Sequence, residues 1–208
     1  MTTVHLRFGA LFLTALVLLL PGSADARVVG DTSVAYSAER VLTVNGQRFD
    51  GMLYAIPGFQ RHEQLVGGIK QAAILDLESG HGYFIVPAVR SFIDFPIDRA
   101  VRELSTPDML GPPQGTERVN GVTAVKYRID HHAADGTHTE GTVWLAGNGI
   151  PMRGDGLVSE PNGRRTPFSW RLSSVHIAPQ DPGLFAPPDG FYRLPVNALP
   201  GILGGAGN

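Results

Sequence analysis

The stretch GGIKQAAILDLESGHGYFIVPAVRSFIDFPI, Gly67 to Ile97, decides the fold. Its apolar positions alternate with polar ones in short runs, which predicts three consecutive β-strands, Gln71–Glu78, His81–Val86 and Val89–Phe95. Ser79-Gly80 breaks the first pair and Pro87-Ala88 the second. Ala73, Leu75 and Leu77 share one face of the first strand while Asp76 and Glu78 point the other way, the period of two expected of a half-buried strand. The run Tyr83-Phe84-Ile85-Val86 is apolar on both faces, as in a strand covered on two sides or one that faces a greasy cavity.

The same pattern extends outward in both directions. Upstream, Val34 to Val44 alternates, with Tyr36, Ala38, Leu42 and Val44 on one side and Ser37, Glu39 and Thr43 on the other. Asn45-Gly46 follows, a pair that tolerates positive φ and predicts a tight hairpin to Gln47–Ile56, where Met52, Tyr54 and Ile56 share a face. Phe59–Leu65 is a third, more polar strand. Downstream, Asn120-Gly121 separates Thr116–Val119 from Val122–His131, and Asp135-Gly136 separates that strand from Thr137–Ala146. Asn148-Gly149 and Asn162-Gly163 precede Ile150–Val158 and Arg164–Ile177. Turn signals every ~8–12 residues predict an antiparallel meander without βαβ units. Helical signal is confined to Asp98–Leu104, with single turns at Asp108–Leu110 and Asp181–Phe185. The expected fold class is therefore mainly β, with little helix: a single strongly curved antiparallel sheet, a half-barrel of about eleven strands.

The first 26 residues form a separate unit. Arg7 is a basic start, Phe8 to Leu20 is uncharged, and Ala24-Asp25-Ala26 offers a small-x-small cleavage site, together a secretory signal peptide. The uncharged run is short for a membrane-spanning helix. The organisation expected is signal peptide 1–26, one domain over 27–196 and a glycine-rich tail over 197–208. The full chain of 208 residues carries 17 Lys+Arg and 19 Asp+Glu, a formal net charge of −2, and Arg7 and Asp25 leave together with the signal. Nothing in that balance offers the clustered positive charge of a nucleic-acid binder. The chain has no cysteine, so neither disulfides nor a lipid-anchoring cysteine is available, and an exported, soluble periplasmic protein is expected.

Motifs for catalysis fail on residues or context. His131, His132 and His138 are the one histidine cluster, yet His131 and His132 are adjacent on a strand and point to opposite faces, so a solvated hairpin end is the expected role and no metal or cofactor is assigned. His62-Glu63-Gln64-Leu65-Val66 lacks the second histidine of a zinc-protease helix and lies on a strand; Arg61, His62 and Glu63 are left as a structural charge set. No Gly-x-Ser-x-Gly elbow occurs. The carboxylate pairs Asp94 with Asp98 and Asp76 with Glu78 lie at strand spacing on solvent faces. What remains is apolar: Tyr36, Met52, Tyr54, Ile85, Trp144, Met152, Phe168, Trp170 and Leu172 are the candidate ligand-binding residues. A single sheet must cover such a face with helices, a second sheet or its own curvature. Curling into a partial barrel leaves either a filled core or a cavity for an apolar ligand.

The order of weaker motifs carries a resemblance. Tyr36-Ser37-Ala38-Glu39-Arg40, the His62-Glu63 strand, the Tyr83-to-Phe95 hairpin with Pro87 at its bend, and Val119-Asn120-Gly121-Val122 leading to Lys126-Tyr127 come first. Trp144, Gly149-Ile150-Pro151-Met152-Arg153, Pro179-Gln180-Asp181-Pro182 to Phe185, and Pro188-Asp189-Gly190-Phe191 follow. Over about Val34 to Leu194 this order resembles the periplasmic LolA/LolB lipoprotein carriers. The resemblance implies an eleven-stranded half-barrel whose concave face holds an acyl chain of a lipid or lipoprotein, with transient membrane contact and no enzymatic activity. Only Arg27 to Ser33 precede the first strand, so the carriers' leading helix is expected to be missing or reduced, and the carriers' functional arginine is not transferred to any position. Related half-barrels resemble envelope-stress regulators, which keeps open a protein-interaction module bound to another envelope protein; a few host catalysis.

Overall fold

A computed structural model describes residues 33–97, 110–133 and 135–195. The signal peptide, the helix expected at Asp98–Leu104, and the tail lie outside the described residues. Twelve strands form one sheet: β1 (Tyr36–Val44), β2 (Gln47–Ile56), β3 (Phe59–Val66), β4 (Ile69–Asp76), β5 (His81–Val86), β6 (Ser91–Pro96), β7 (Leu110–Val119), β8 (Val122–His132), β9 (His138–Ala146), β10 (Pro151–Ser159), β11 (Arg165–Ile177) and β12 (Tyr192–Arg193). Their spatial order is β12-β6-β5-β4-β3-β2-β1-β11-β10-β9-β8-β7. Two antiparallel meanders thus meet at β1 and β11, in the middle of the sheet, and the edges β12 and β7 do not pair. Among the described residues no helix is long and apolar enough to cross a membrane.

Turn chemistry fixes the hairpins. Asn45 and Gly46 sit at φ 50° and 80°, and Asn120 and Gly121 at 48° and 82°, both pairs left-handed as a two-residue hairpin turn requires. β4 starts at Ile69 rather than Gln71 and β6 ends at Pro96 rather than Phe95, and two further departures from the expected boundaries each have a local reason. β4 ends at Asp76 rather than Glu78 because the Asp76 carboxylate accepts the backbone N–H groups of Glu78 and Ser79, at 3.1 and 2.9 Å, and turns the chain. Residues Pro87–Val89 form a 3₁₀ turn instead of starting a strand, closed by Arg90 N–H to Pro87 C=O at 3.0 Å with Arg90 itself left-handed. Proline has no N–H to give a ladder and presets the φ of such a turn. β7 starts at Leu110, earlier than expected, and its Gly111-Pro112-Pro113 run is tolerated because β7 is an edge strand with two register irregularities. The twelfth strand, two residues long, was not expected, and it pairs with β6 in parallel.

The sheet curls. Leu42 and Val44 (β1), Ala73 and Leu75 (β4), Phe84 and Val86 (β5), Val143 and Leu145 (β9), and Phe168 and Trp170 (β11) belong to one buried cluster, although β5 and β9 lie seven strands apart in the sheet. A flat sheet cannot bring those strands together at ~4.8 Å per strand. The face that carries these side chains is the concave one. Two cross-strand glycines make room for its largest rings. A Cβ at Gly154 would lie 2.0 Å from the Trp170 ring, and one at Gly156 2.7 Å from Phe168. The Phe168 and Trp170 rings stack with centroids 6.0 Å apart.

Among the described residues the outer face is covered at one end, by the segment after β11. Where a single turn was expected, Asp181 caps a 3₁₀ turn at Pro182–Phe185 by accepting Gly183 N–H at 2.9 Å. Phe185 then packs on Ala72, Ile74 and Ile85, with Leu184 and Phe191 beside them, and Arg61 donates to Leu184 C=O at 2.9 Å.

Candidate functional site

The ladder registers define rows that cross the concave face. Tyr36, Ala55, Gln60, Leu75 and Gly82 form one, and Ala38, Leu53, His62, Ala73 and Phe84 the next. Arg40, Gly51, Gln64 and Gln71 form a third. Four of these positions are polar and fully enclosed: Arg40 and His62 are each 1% exposed, and Gln60 and Gln71 are buried beside them. Gly51 is the opening that lets them meet. It stands between Arg40 on β1 and Gln64 on β3, and a Cβ there would collide with the Glu63 carbonyl at 1.8 Å. With no side chain in the way, the Arg40 guanidinium crosses β2. Its Nη1 lies 2.7 Å from His62 Nδ1, and its Nη2 donates to Gln64 Oε1 at 2.8 Å.

The proton positions follow from this geometry. A guanidinium has no acceptor, so His62 Nδ1 accepts and the ring carries its hydrogen on Nε2. Nε2 in turn lies 2.9 Å from Gln60 Oε1, which accepts it. Burial, and then the adjacent Arg40 charge, hold the His62 pKa well below its ordinary 6.5. Burial also pushes Arg40 down to about 10, which leaves it charged at neutral pH. Among the described residues no carboxylate pairs with it, and its Nε has no hydrogen-bond partner. Tyr36 Oη and Gln71 Oε1, on the same face, also lack one among the described residues. An enclosed cation held only by neutral groups costs several kcal/mol in desolvation.

The sign of the pH effect is set by His62. Its folded pKa lies below the unfolded one, so below pH ~6.5 the unfolded chain takes up a proton that the native site refuses. Stability from this group is intact above that pH and falls by up to about 1.4 kcal/mol per unit as the solution is acidified. Urea midpoints measured from pH 7.5 to 5 should show this decline, and His62→Gln should flatten it; an unchanged slope in the variant assigns the decline to other groups.

The nine residues expected on a single lining divide between the two faces. Tyr36, Met152, Phe168, Trp170 and Leu172 lie on the concave side and are buried. Met52 and Tyr54 alternate with the inward Leu53, and Ile85 with the inward Phe84, so all three lie on the outer face; Tyr54 and Ile85 pack beneath Phe185. Trp144 pairs across the ladders with Lys126 and Arg153, yet it is buried in one cluster with Tyr36, Met152 and Leu172. Its ring lies 4.2 Å from the Arg153 guanidinium and 5.4 Å from Lys126 Nζ, and its indole N–H donates to Glu117 Oε2 at 2.8 Å. Alternation within a strand is a local property, but the phase between strands is not, and treating every aromatic strand residue as inward conflated the two.

The polar cluster was missed for a related reason. Arg40 keeps the phase of Tyr36, Ala38, Leu42 and Val44, and Gln60, His62 and Gln64 keep a period of two. A charge in phase with an apolar stripe was the available signal. Arg61 and Glu63, alternating outward, do form the expected charge pair at 2.7 Å. The carboxylates singled out in the sequence have other employment: Asp76 serves its turn and Asp94 is bound by Arg193, while Asp98 lies outside the described residues.

A cavity of about 510 Å³ opens on the outer face over β1, β10 and β11, lined by Arg48, Arg153, Arg171, Asp155, Thr43 and Ser169 among others. Val41 and Trp170 line it as well, so its walls are mixed, about evenly polar and apolar. The concave face is occupied by the protein's own side chains.

No protein-family model matches the sequence, and no curated protein does. Comparison of the fold finds solved structures. An uncharacterized conserved protein from Thermus thermophilus is similar over 78% of this chain and 91% of its own, at 14% identity and a TM-score of 0.52. A LolA superfamily protein from Nitrosomonas europaea is similar over 74% of this chain and 90% of its own, at 6% identity and a TM-score of 0.41. The MucA/MucB complex from Pseudomonas aeruginosa is similar at 17% identity and a TM-score of 0.45, over 75% of this chain and 56% of that one. At these identities the likeness is one of fold.

Proposed function

We propose that this half-barrel is a non-catalytic binding module of the periplasm, a carrier or sensor that takes an acyl chain of a lipid or lipoprotein onto its concave face. The observation that carries this reading is Arg40: a guanidinium enclosed among neutral polar side chains, with no carboxylate among the described residues and one donor unused. Such a group supplies what an amphiphile's acidic or carbonyl head requires, and Tyr36 Oη and Gln71 Oε1 stand on the same face. The surrounding Leu42, Phe84, Leu145 and Trp170 suit the chain. Ten buried methylenes contribute about 8 kcal/mol before the entropy of association is subtracted.

The filled trough is compatible with entry of a ligand because of how it closes. The β4–β5 wall and the β8–β9 wall meet through side chains, and the sheet edges are not hydrogen-bonded to each other. Parting the walls breaks no ladder, and an acyl chain replaces the apolar contacts that are lost. Native mass spectrometry of the protein purified from a periplasmic fraction should show one co-purifying amphiphile per chain. Absence of any adduct, together with no uptake of a fluorescent fatty acid, would overturn the proposal.

One observation favours a second reading, a protein-interaction module without bound lipid: the stacked Phe168 and Trp170 rings, seated against Gly154 and Gly156, occupy the concave face over β10 and β11. A stable complex with one envelope protein, formed by lipid-free chain, is the result that selects it.

A further inference from the structure

The β8–β9 hairpin carries a separate set of groups on the back of the wall just described. Asp130 and His132 are two apart on β8 and therefore project to the same side, and His138 on β9 is the ladder partner of His132. The two imidazole rings stack with centroids 4.0 Å apart and planes 3° from parallel. Asp130 Oδ1 lies 2.9 Å from His138 Nε2 and 3.8 Å from His132 Nε2. One donor atom from each of the three residues falls within 4.8 Å of the other two. His131, the residue between, belongs to the opposite face. It was the adjacency of His131 and His132 that argued against a metal on sequence grounds; the third group is a carboxylate two residues back, not the neighbouring histidine.

Bond lengths decide whether these separations fit an ion. With metal–ligand distances of 2.0–2.2 Å, donors lie about 3.0 Å apart at right angles and about 3.5 Å apart in a tetrahedron. The 2.9 and 3.8 Å separations straddle both values. Only the two imidazoles have to converge, and rotation about χ2, a broad torsion in histidine, supplies that movement at an exposed hairpin end. The two rings address the same carboxylate oxygen, and at 3.8 Å the second is too far for a hydrogen bond. The other oxygen of Asp130 is held by Arg128 Nη2 at 3.2 Å, which fixes the carboxylate without occupying Oδ1. Glu140, the ladder partner of Asp130, shares this face and offsets the Arg128 charge.

We propose that Asp130, His132 and His138 form a surface site for a borderline divalent transition ion, Zn²⁺ or its competitors Cu²⁺ and Ni²⁺, with water in the remaining positions. Two imidazoles and one carboxylate are the donor set that such ions select. The bound ion clips β8 to β9 beside their turn. Ile129, Val143 and Leu145, on the opposite side of the same two strands, form part of the concave core, so the clip stiffens one wall of the trough.

The test uses the untagged full chain, stripped of metal with a chelator. Calorimetric titration with Zn²⁺ should give one equivalent, and Cu²⁺ electron paramagnetic resonance should show hyperfine coupling to two imidazole nitrogens. His132→Asn, His138→Asn and Asp130→Asn should each weaken Zn²⁺ binding by at least about tenfold, with unchanged circular dichroism. His131→Gln and His176→Gln should leave it intact. Absence of saturable binding, binding that survives in both His132→Asn and His138→Asn, or a copper spectrum with fewer than two nitrogens would each overturn the assignment. The copper spectrum of the parent chain decides the matter even if a variant misfolds.

Discussion

Replacing Arg40 with methionine is expected to weaken binding of an anionic amphiphile by about a hundredfold while leaving the empty protein close to its parent in stability. The first effect follows from losing charge-assisted hydrogen bonds to the head group, worth about 1.5–3 kcal/mol each, and a hundredfold is about 2.7 kcal/mol. The second follows from what surrounds the guanidinium. Its partners, His62 and Gln64, are neutral, so removing it strands no buried countercharge. Two acceptors lose their donor, at about 1–3 kcal/mol each, but the desolvation of an enclosed cation, several kcal/mol, disappears with it. Methionine keeps an unbranched, flexible stem in the channel over Gly51. Titration with a fluorescent fatty acid and urea unfolding of the ligand-free chain measure the two quantities. If the variant binds as well as the parent and loses more than ~3 kcal/mol of stability, Arg40 is a strut rather than an anchor and the carrier reading fails.

The largest effect on stability is expected at a glycine. Gly154→Val places a branched side chain where even a Cβ would lie 2.0 Å from the Trp170 ring. That ring is stacked on Phe168 and enclosed in the main core, so it cannot move without disturbing both walls. Overpacking of this kind costs about 3 kcal/mol or more, at the upper end of what core insertions show. The control is Gly147→Ala, where an added Cβ meets nothing within 4 Å and the change should stay within about 0.5 kcal/mol. Thermal unfolding of the two variants beside the parent checks the contrast, and equal melting temperatures would show that the curled packing around Trp170 is not what holds the sheet.

Composition, the period of two and the Asn-Gly and Asp-Gly turns were enough to establish that this chain makes one antiparallel meander with little helix, and to place most strand ends close to where they fall. Those features are local: a strand's alternation is set by its own pleat, and a tight hairpin by the φ its two central residues tolerate. Which alternate set faces inward is a different kind of fact. It depends on the phase between strands, and so on the pairing of Tyr36 with Ile177 and Leu42 with Trp170 at the join of the two meanders. For that reason Met52, Tyr54 and Ile85 belong to the outer face, although each lies on a strand of the predicted kind. The enclosure of Arg40 above Gly51, the cover that Phe185 lays over Ile85, and the meeting of Asp130, His132 and His138 were likewise decided only by the tertiary structure. Each brings together residues through cross-strand register or a returning segment, and no pattern confined to one stretch of chain encodes where that stretch will find its neighbour.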